Sequence, residues 1–149
     1  MDTRSAPARL RSQASWLINQ TSITAHQLVA GRLASAGAHR YHYSILAALD
    51  EFGPGSQVTL GRHCGLDRSD VAAAVTDLAG RRLVERTADP LDRRRNIVRI
   101  TPAGLRQLRT LDQIIATAQD ELLAPLSADE RRQLVRLLTR MADHHAPPH

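Results

Sequence analysis

The 149-residue chain is long enough for one domain with a true core, or for a small domain plus an oligomerisation arm, and its 3% aromatic content obliges that core to be aliphatic, favouring packed helices over a β-sandwich. No stretch reaches the apolar length of a membrane span, and the opening M-D-T-R-S-A-P-A-R-L-R lacks the apolar centre of a signal peptide, so a cytoplasmic protein without a membrane partner is expected. The 20 basic residues outnumber 15 acidic ones, and a pI near 10.8 suits a polyanionic partner.

From about Ala8 to Ala34 no proline intervenes, and Leu10, Ala14, Leu17, Ile18, Leu28 and Leu33 recur at near-helical intervals, which predicts one long first helix. Gly37 and its polar neighbours end it. Tyr43, Leu46, Ala47 and Leu49 form a second stripe, closed by Gly53-Pro54-Gly55, so a second helix is expected over roughly Tyr41 to Phe52. In Val58-Thr59-Leu60, Thr59 is placed to cap a brief helix through Cys64, and Gly65 then turns the chain.

Asp67-Arg68-Ser69-Asp70 opens the next helix. Asp67 can accept first-turn amides, Asp70 can complete a capping-box-like exchange, and Val71, Val75, Leu78 and Ala79 define a buried face. Two short helices joined at Gly65-Leu66 read as a helix-turn-helix, with Asp67 to Arg81 as its second, recognition member. Val84 to Ala88 and Asn96 to Ile100 read as the strands of a hairpin, and Asp89, Pro90 and Asp92 are turn formers between them. Arg93, Arg94 and Arg95 therefore project from a loop, well shaped to enter a negatively charged groove. Thr101-Pro102 caps a long helix through about Leu123, Pro125 breaks it, and Ser127-Ala128-Asp129-Glu130 is a capping box for a last helix to about Asp143. His144, His145 and His149 fall in a proline-punctuated tail that is expected to be disordered.

All 20 basic residues are arginine, chiefly a mark of a GC-rich genome, so their placement matters more than their number. The stretch from Gln57 to Thr101 carries a net charge of +3, nine Arg against six acids, which concentrates positive charge in the helix-turn-helix and hairpin.

This order of elements resembles the MarR family of dimeric winged-helix transcription regulators. The resemblance covers about Trp16 to Leu138. Its strongest parts are G-L-D-R-S-D-V-A-A-A-V-T-D-L and R-L-V-E-R-T-A-D-P-L-D-R-R-R-N-I-V-R-I-T-P-A-G, in which the family's Asp-x-Arg signature falls on Asp92-Arg93-Arg94. Arg95 departs from the small residue common at its place. The expected fold is mainly α with a small β-wing: a winged helix-turn-helix over residues 41–104, flanked by an N-terminal dimerisation helix in 1–40 and C-terminal dimerisation helices with a short tail in 105–149.

A recognition helix lies in the major groove with its N-terminal residues nearest the bases, which points to Arg68, Ser69, Ala72, Ala73 and Thr76. Arg68 can pair bidentately with guanine, Ser69 can reach base or phosphate, and the alanines allow close approach or contact with a thymine methyl. The resemblance implies that Arg94 or Arg93 enters the minor groove while Asp92 pairs with an arginine and holds the loop in shape. Leu10, Leu17, Leu122, Leu123, Leu126, Leu134, Leu137, Leu138 and Met141 exceed what one small domain can bury, so a homodimer on a pseudo-palindromic double-stranded DNA site is expected.

The resemblance further implies a small aromatic, phenolic or anionic effector. Trp16, His26, Arg40, His42 and Tyr43 are best placed to hold one, an aromatic face and a cation being the complementary groups. The branch that answers to urate has an acidic residue early in its second helix, where this chain has Ser44, so urate is not favoured. His39 and His42 are too few to define a metal site, and Cys64, the single cysteine, reads as a small core residue more than as a redox sensor. No phosphate loop, nucleophile elbow or carboxylate pair is present, so neither catalysis nor a cofactor is expected. The alternatives are a constitutive architectural DNA binder and a redox-responsive regulator using Cys64.

Overall fold

The computed structural model describes residues 2–148. After a 3-10 turn at Thr3–Ser5 come α1 (Ala8–Arg11), α2 (Ala14–Ser35), α3 (Arg40–Phe52), β1 (Gly55–Ser56), α4 (Gln57–Cys64), α5 (Arg68–Gly80), β2 (Val84–Ala88), β3 (Asn96–Ile100), α6 (Pro102–Leu122) and α7 (Ala128–His145). The fold is mainly helical with one antiparallel sheet of order β1-β3-β2. No described helix is long and apolar enough to cross a membrane.

The core is aliphatic. Leu33 of α2, Ile45, Leu46 and Leu49 of α3, Leu60 of α4, Val71, Val75 and Leu78 of α5, Val84 and Val98 of the hairpin, and Leu108 and Leu111 of α6 are buried together. This cluster clamps α4, α5 and the hairpin against α3 and α6, so the exposed face of α5 has a fixed direction.

Local signals set most boundaries. Thr101 Oγ1 accepts the Gly104 N–H at 3.0 Å with Pro102 opening α6, and Ser127 and Glu130 exchange amide bonds of 3.2 and 2.9 Å at the start of α7. At the end of α2, Gly37 adopts φ 69°, and the Ala38 N–H reaches back to the Leu33 carbonyl at 2.9 Å, a glycine-terminated stop.

Several expectations need correction. The single first helix is broken: Gln13 is extended (φ −99°, ψ 123°), and the Ser12 hydroxyl donates to the Arg9 carbonyl at 3.2 Å, a local bond that competes with helix continuation. The helix over Gln57–Cys64 is capped by Ser56, whose Oγ accepts the Thr59 N–H at 3.2 Å, so Thr59 lies inside the first turn. Gly55 and Ser56 form a third strand, opposite Val98 and Ile97. Asp67 caps α5 alone, with no return bond from the Asp70 carboxylate to its amide among the described residues. α7 continues through His144 and His145, while His149 lies outside the described residues.

Candidate functional site

The turn between α4 and α5 depends on two glycines. Gly65 sits in the left-handed region (φ 64°), and the Leu66 N–H donates to the Gly61 carbonyl at 3.0 Å; a Cβ on Gly61 would stand 3.0 Å from the Leu66 carbonyl oxygen. Asp67 then starts α5 by accepting the Asp70 N–H at 2.9 Å and the Ser69 hydroxyl at 2.8 Å, and these bonds hold its carboxyl below the usual carboxylate range. With Val71, Ala74, Val75 and Leu78 buried, Arg68, Ser69, Ala72, Ala73 and Thr76 all emerge exposed on the opposite face.

The wing is a five-pair antiparallel hairpin, from Val84 opposite Ile100 to Ala88 opposite Asn96. Its tip is internally bonded. The Asp89 N–H donates to the Arg95 carbonyl (2.8 Å), the Leu91 N–H to the Asp89 carboxylate (2.9 Å), and the Arg95 N–H to the Asp92 carbonyl (2.9 Å). Asp92 Oδ1 accepts both the Arg94 amide (3.0 Å) and the Arg94 Nε–H (3.3 Å), although the Arg94 side chain is 93% exposed. Arg93 and Arg95 make no ion pair among the described residues.

Helix and wing enclose a concavity of about 420 Å³ lined by Ser56, Gln57, Val58, Arg68, Ala72, Arg94, Arg95 and Asn96. Three guanidiniums converge on it and no acidic side chain lines it, an arrangement that attracts a polyanion. Gln57, Val58 and Asn96 were not singled out by the sequence, nor was Arg86, whose Nη1 donates to Thr76 Oγ1 at 3.4 Å and ties β2 to α5. The only signal for the first two was their place directly after Ser56, a residue type that caps helices.

The five residues considered for a small ligand do not line one depression in the single chain. Arg40 Nη1 lies 3.0 Å from His26 Nδ1, and its guanidinium stands 5.0 Å over the Tyr41 ring, so these two candidates meet. Trp16 is half-buried ten residues before His26, about 15 Å along α2. The Tyr43 hydroxyl donates to Asp112 Oδ1 of α6 at 2.6 Å, and burial together with that carboxylate pushes its pKa up to about 12. His42 Nε2 faces Asp77 Oδ2 of α5 at 2.8 Å, while its Nδ1 accepts the His39 N–H at 3.1 Å. Both of its ring nitrogens are thus engaged, and the nearby His39 Nδ1 accepts the Tyr41 N–H at 3.2 Å. No three His, Cys, Asp or Glu side chains gather as a metal site among the described residues. The Cys64 thiol donates to the Ser44 carbonyl at 3.3 Å, and burial pushes its pKa up, which disfavours the reactive thiolate.

Known proteins resemble the chain in sequence and fold. Residues 36–95 match the family model described as the MarR family. The transcriptional repressor NicR of Pseudomonas putida is 33% identical over 101 residues, 68% of this chain and 64% of NicR, so the match spans just under two thirds of that relative. The PcaV transcriptional regulator of Streptomyces coelicolor, solved in complex with its natural ligand, is 36% identical with a TM-score of 0.77, covering 93% of this chain and 97% of PcaV. A probable transcriptional regulator from Pseudomonas aeruginosa is 32% identical with a TM-score of 0.79, covering 89% of this chain and 99% of that one.

Proposed function

Because the chain belongs to the MarR family, we propose that it is a cytoplasmic, homodimeric transcription repressor that binds a pseudo-palindromic DNA operator and releases it when a small aromatic or anionic effector binds. The observation that carries this reading is the convergence of Arg68, Arg94 and Arg95 on one concavity between recognition helix and wing. In that pose α5 lies in the major groove with Arg68 and Ser69 leading, and the wing tip reaches the adjacent minor groove, where a narrow A/T-rich stretch rewards an inserted guanidinium. Asp92 keeps the Arg94 backbone and side chain in one arrangement before DNA arrives, which lowers the ordering cost of binding.

Dimerisation is supported by what the single chain leaves uncovered. α7 has no buried residue, and Val135, Leu137, Leu138 and Met141 stand exposed along it. Leu10, Leu17 and Ile18 at the other end of the chain are also exposed, and two copies could cover both sets. A two-fold dimer places two recognition helices one helical turn of DNA apart or a multiple of it. The effector reading rests on the Arg40 and His26 pair beside Tyr41, a cation next to an aromatic face, and on likeness to PcaV.

The test is binding of the purified protein to its own upstream intergenic DNA, titrated at several salt concentrations against competitor DNA and then with aromatic acids and phenols. Preference for one site by roughly 10³ over random DNA, abolished by one compound, is the expected result. Weak binding insensitive to sequence and to every compound would instead identify a constitutive architectural DNA binder.

A further inference from the structure

Val58 is a β-branched apolar residue in the first turn of α4, and it is 58% exposed. It plays no part in the core cluster, whose contribution from α4 is Leu60. Its exposed surface lines the cationic concavity, where its neighbours are Gln57, Arg68, Arg94, Arg95, Asn96 and one other apolar group, the Ala72 methyl. Val58 of α4 and Ala72 of α5 are thus the two apolar residues lining a site that also carries three arginines.

Resting on the DNA-binding reading above, we propose that Val58, which shares this concavity with Ala72, is a specificity-determining residue that reads the 5-methyl group of a thymine in the operator. Within a nucleic-acid groove the apolar surfaces on offer are thymine methyls and the faces of the sugars, and only the methyl distinguishes one base pair from another. Ala72 lies one turn after Arg68 on α5, so it stands beside the side chain best placed to reach a base edge. Each half-site carries one such thymine.

The experiment replaces the thymines of the operator fragment by deoxyuridine one position at a time, which deletes the methyl and leaves every hydrogen-bonding group in place. Wild type, Val58→Ala and Val58→Thr are compared; the threonine keeps the side-chain shape and exchanges one methyl for a hydroxyl. In wild type one thymine per half-site should show a roughly three- to fivefold loss of affinity on substitution, the scale of one buried methyl. In Val58→Ala that difference should vanish at that position, and in Val58→Thr, which keeps one methyl, it should shrink. If Val58→Ala weakens thymine and deoxyuridine probes equally, the side chain packs on sugar and the proposal is overturned. Sequence-specific binding with no methyl-sensitive position overturns it as well while leaving the DNA-binding reading intact, whereas absence of any sequence preference in wild type overturns both.

Discussion

His42 Nε2 lies 2.8 Å from Asp77 Oδ2, joining the start of α3 to the last turn of α5. Asp77 is shared with Arg81 at 3.3 Å, and Arg81 also donates to the Gly37 carbonyl in the connection between α2 and α3. Asp77 therefore gathers two contacts onto the helix that carries Arg68, one from the connection after α2 through Arg81 and one from the start of α3 through the imidazole. Displacement of α3 relative to α2 has a direct route to the orientation of α5.

That imidazole titrates against the fold. Burial lowers its pKa below 6.5; Asp77 opposes the shift, while Arg81 and His39 reinforce it. Geometry agrees, since Nδ1 must stay unprotonated to accept the His39 amide. The unfolded chain takes up this proton near pH 6.5 and the folded chain only at lower pH, so the stability contribution is complete above 6.5 and declines as pH falls towards the folded value. His42→Gln retains an acceptor and a donor without the titration. Urea unfolding at pH 7.5 and pH 5.0 should show a larger loss on acidification for wild type than for His42→Gln, and equal losses would refute the assignment.

At the wing tip, electrostatics and preorganisation make opposite predictions. Removing Asp92 deletes a negative charge beside three arginines, which on charge alone should strengthen binding to DNA. It also deletes the acceptor for the Arg94 amide and Nε–H. The loss of order wins in our account: Asp92→Ala should weaken operator binding by about 1 kcal/mol. Arg94→Ala should weaken binding by about 1 to 3 kcal/mol, with a shallower salt dependence. Fluorescence anisotropy at several salt concentrations measures both, and tighter binding by Asp92→Ala would mean that the loop needs no internal tether.

Gly104 marks the point where α6 meets the base of the wing. A Cβ there would lie 2.1 Å from the Leu83 carbonyl oxygen and 2.7 Å from Ile100 Cγ1, and that same carbonyl accepts the Thr101 N–H at 3.1 Å. Backbone has to move to admit a methyl, so Gly104→Ala should destabilise the protein by roughly 3 kcal/mol. Gly80 at the end of α5 has nothing within 4 Å of a built Cβ, and Gly80→Ala should leave stability unchanged or raise it by about 0.5 kcal/mol. Paired thermal melts check the contrast.

These cases show why some features were legible in the sequence and others were not. The Ser127 to Glu130 box, the Thr101-Pro102 start and the hairpin with its Asp92 turn are set by neighbours a few residues apart, so their signatures appear in the sequence itself. The exposed face of α5 followed from periodicity. Strand β1 was missed because two residues carry no alternation, and its pairing with Val98 and Ile97 exists only once β3 is in place. Val58 escaped notice because the sequence placed it just ahead of a helix capped at Thr59, and its place beside Arg94 and Asn96 appears only once the chain is folded. His42 and Tyr43 looked like partners in one pocket because they are adjacent, yet successive helical residues point about 100° apart. One therefore meets Asp77 of α5 and the other Asp112 of α6.

The C-terminal helix makes the strongest demand for a second copy. α7 begins with a full capping box and an Arg131 to Asp120 ion pair at 2.9 Å, so its position against the end of α6 is defined, yet none of its residues is buried. Leu134, Leu138 and Met141 recur at helical spacing along one side, and the latter two are 44% and 47% exposed, so much of that stripe stays uncovered in the single chain. Leu138→Glu with Met141→Glu places two charges on that stripe without touching the core around Leu60 and Val75. Sedimentation velocity should show wild type at twice the chain mass and the double variant at one. Operator affinity should fall by two orders of magnitude or more, because each half-site is then bound without the avidity of its twin, while helical content by circular dichroism stays close to wild type. A double variant that remains dimeric would place the interface elsewhere, on the exposed faces of α1 and α2.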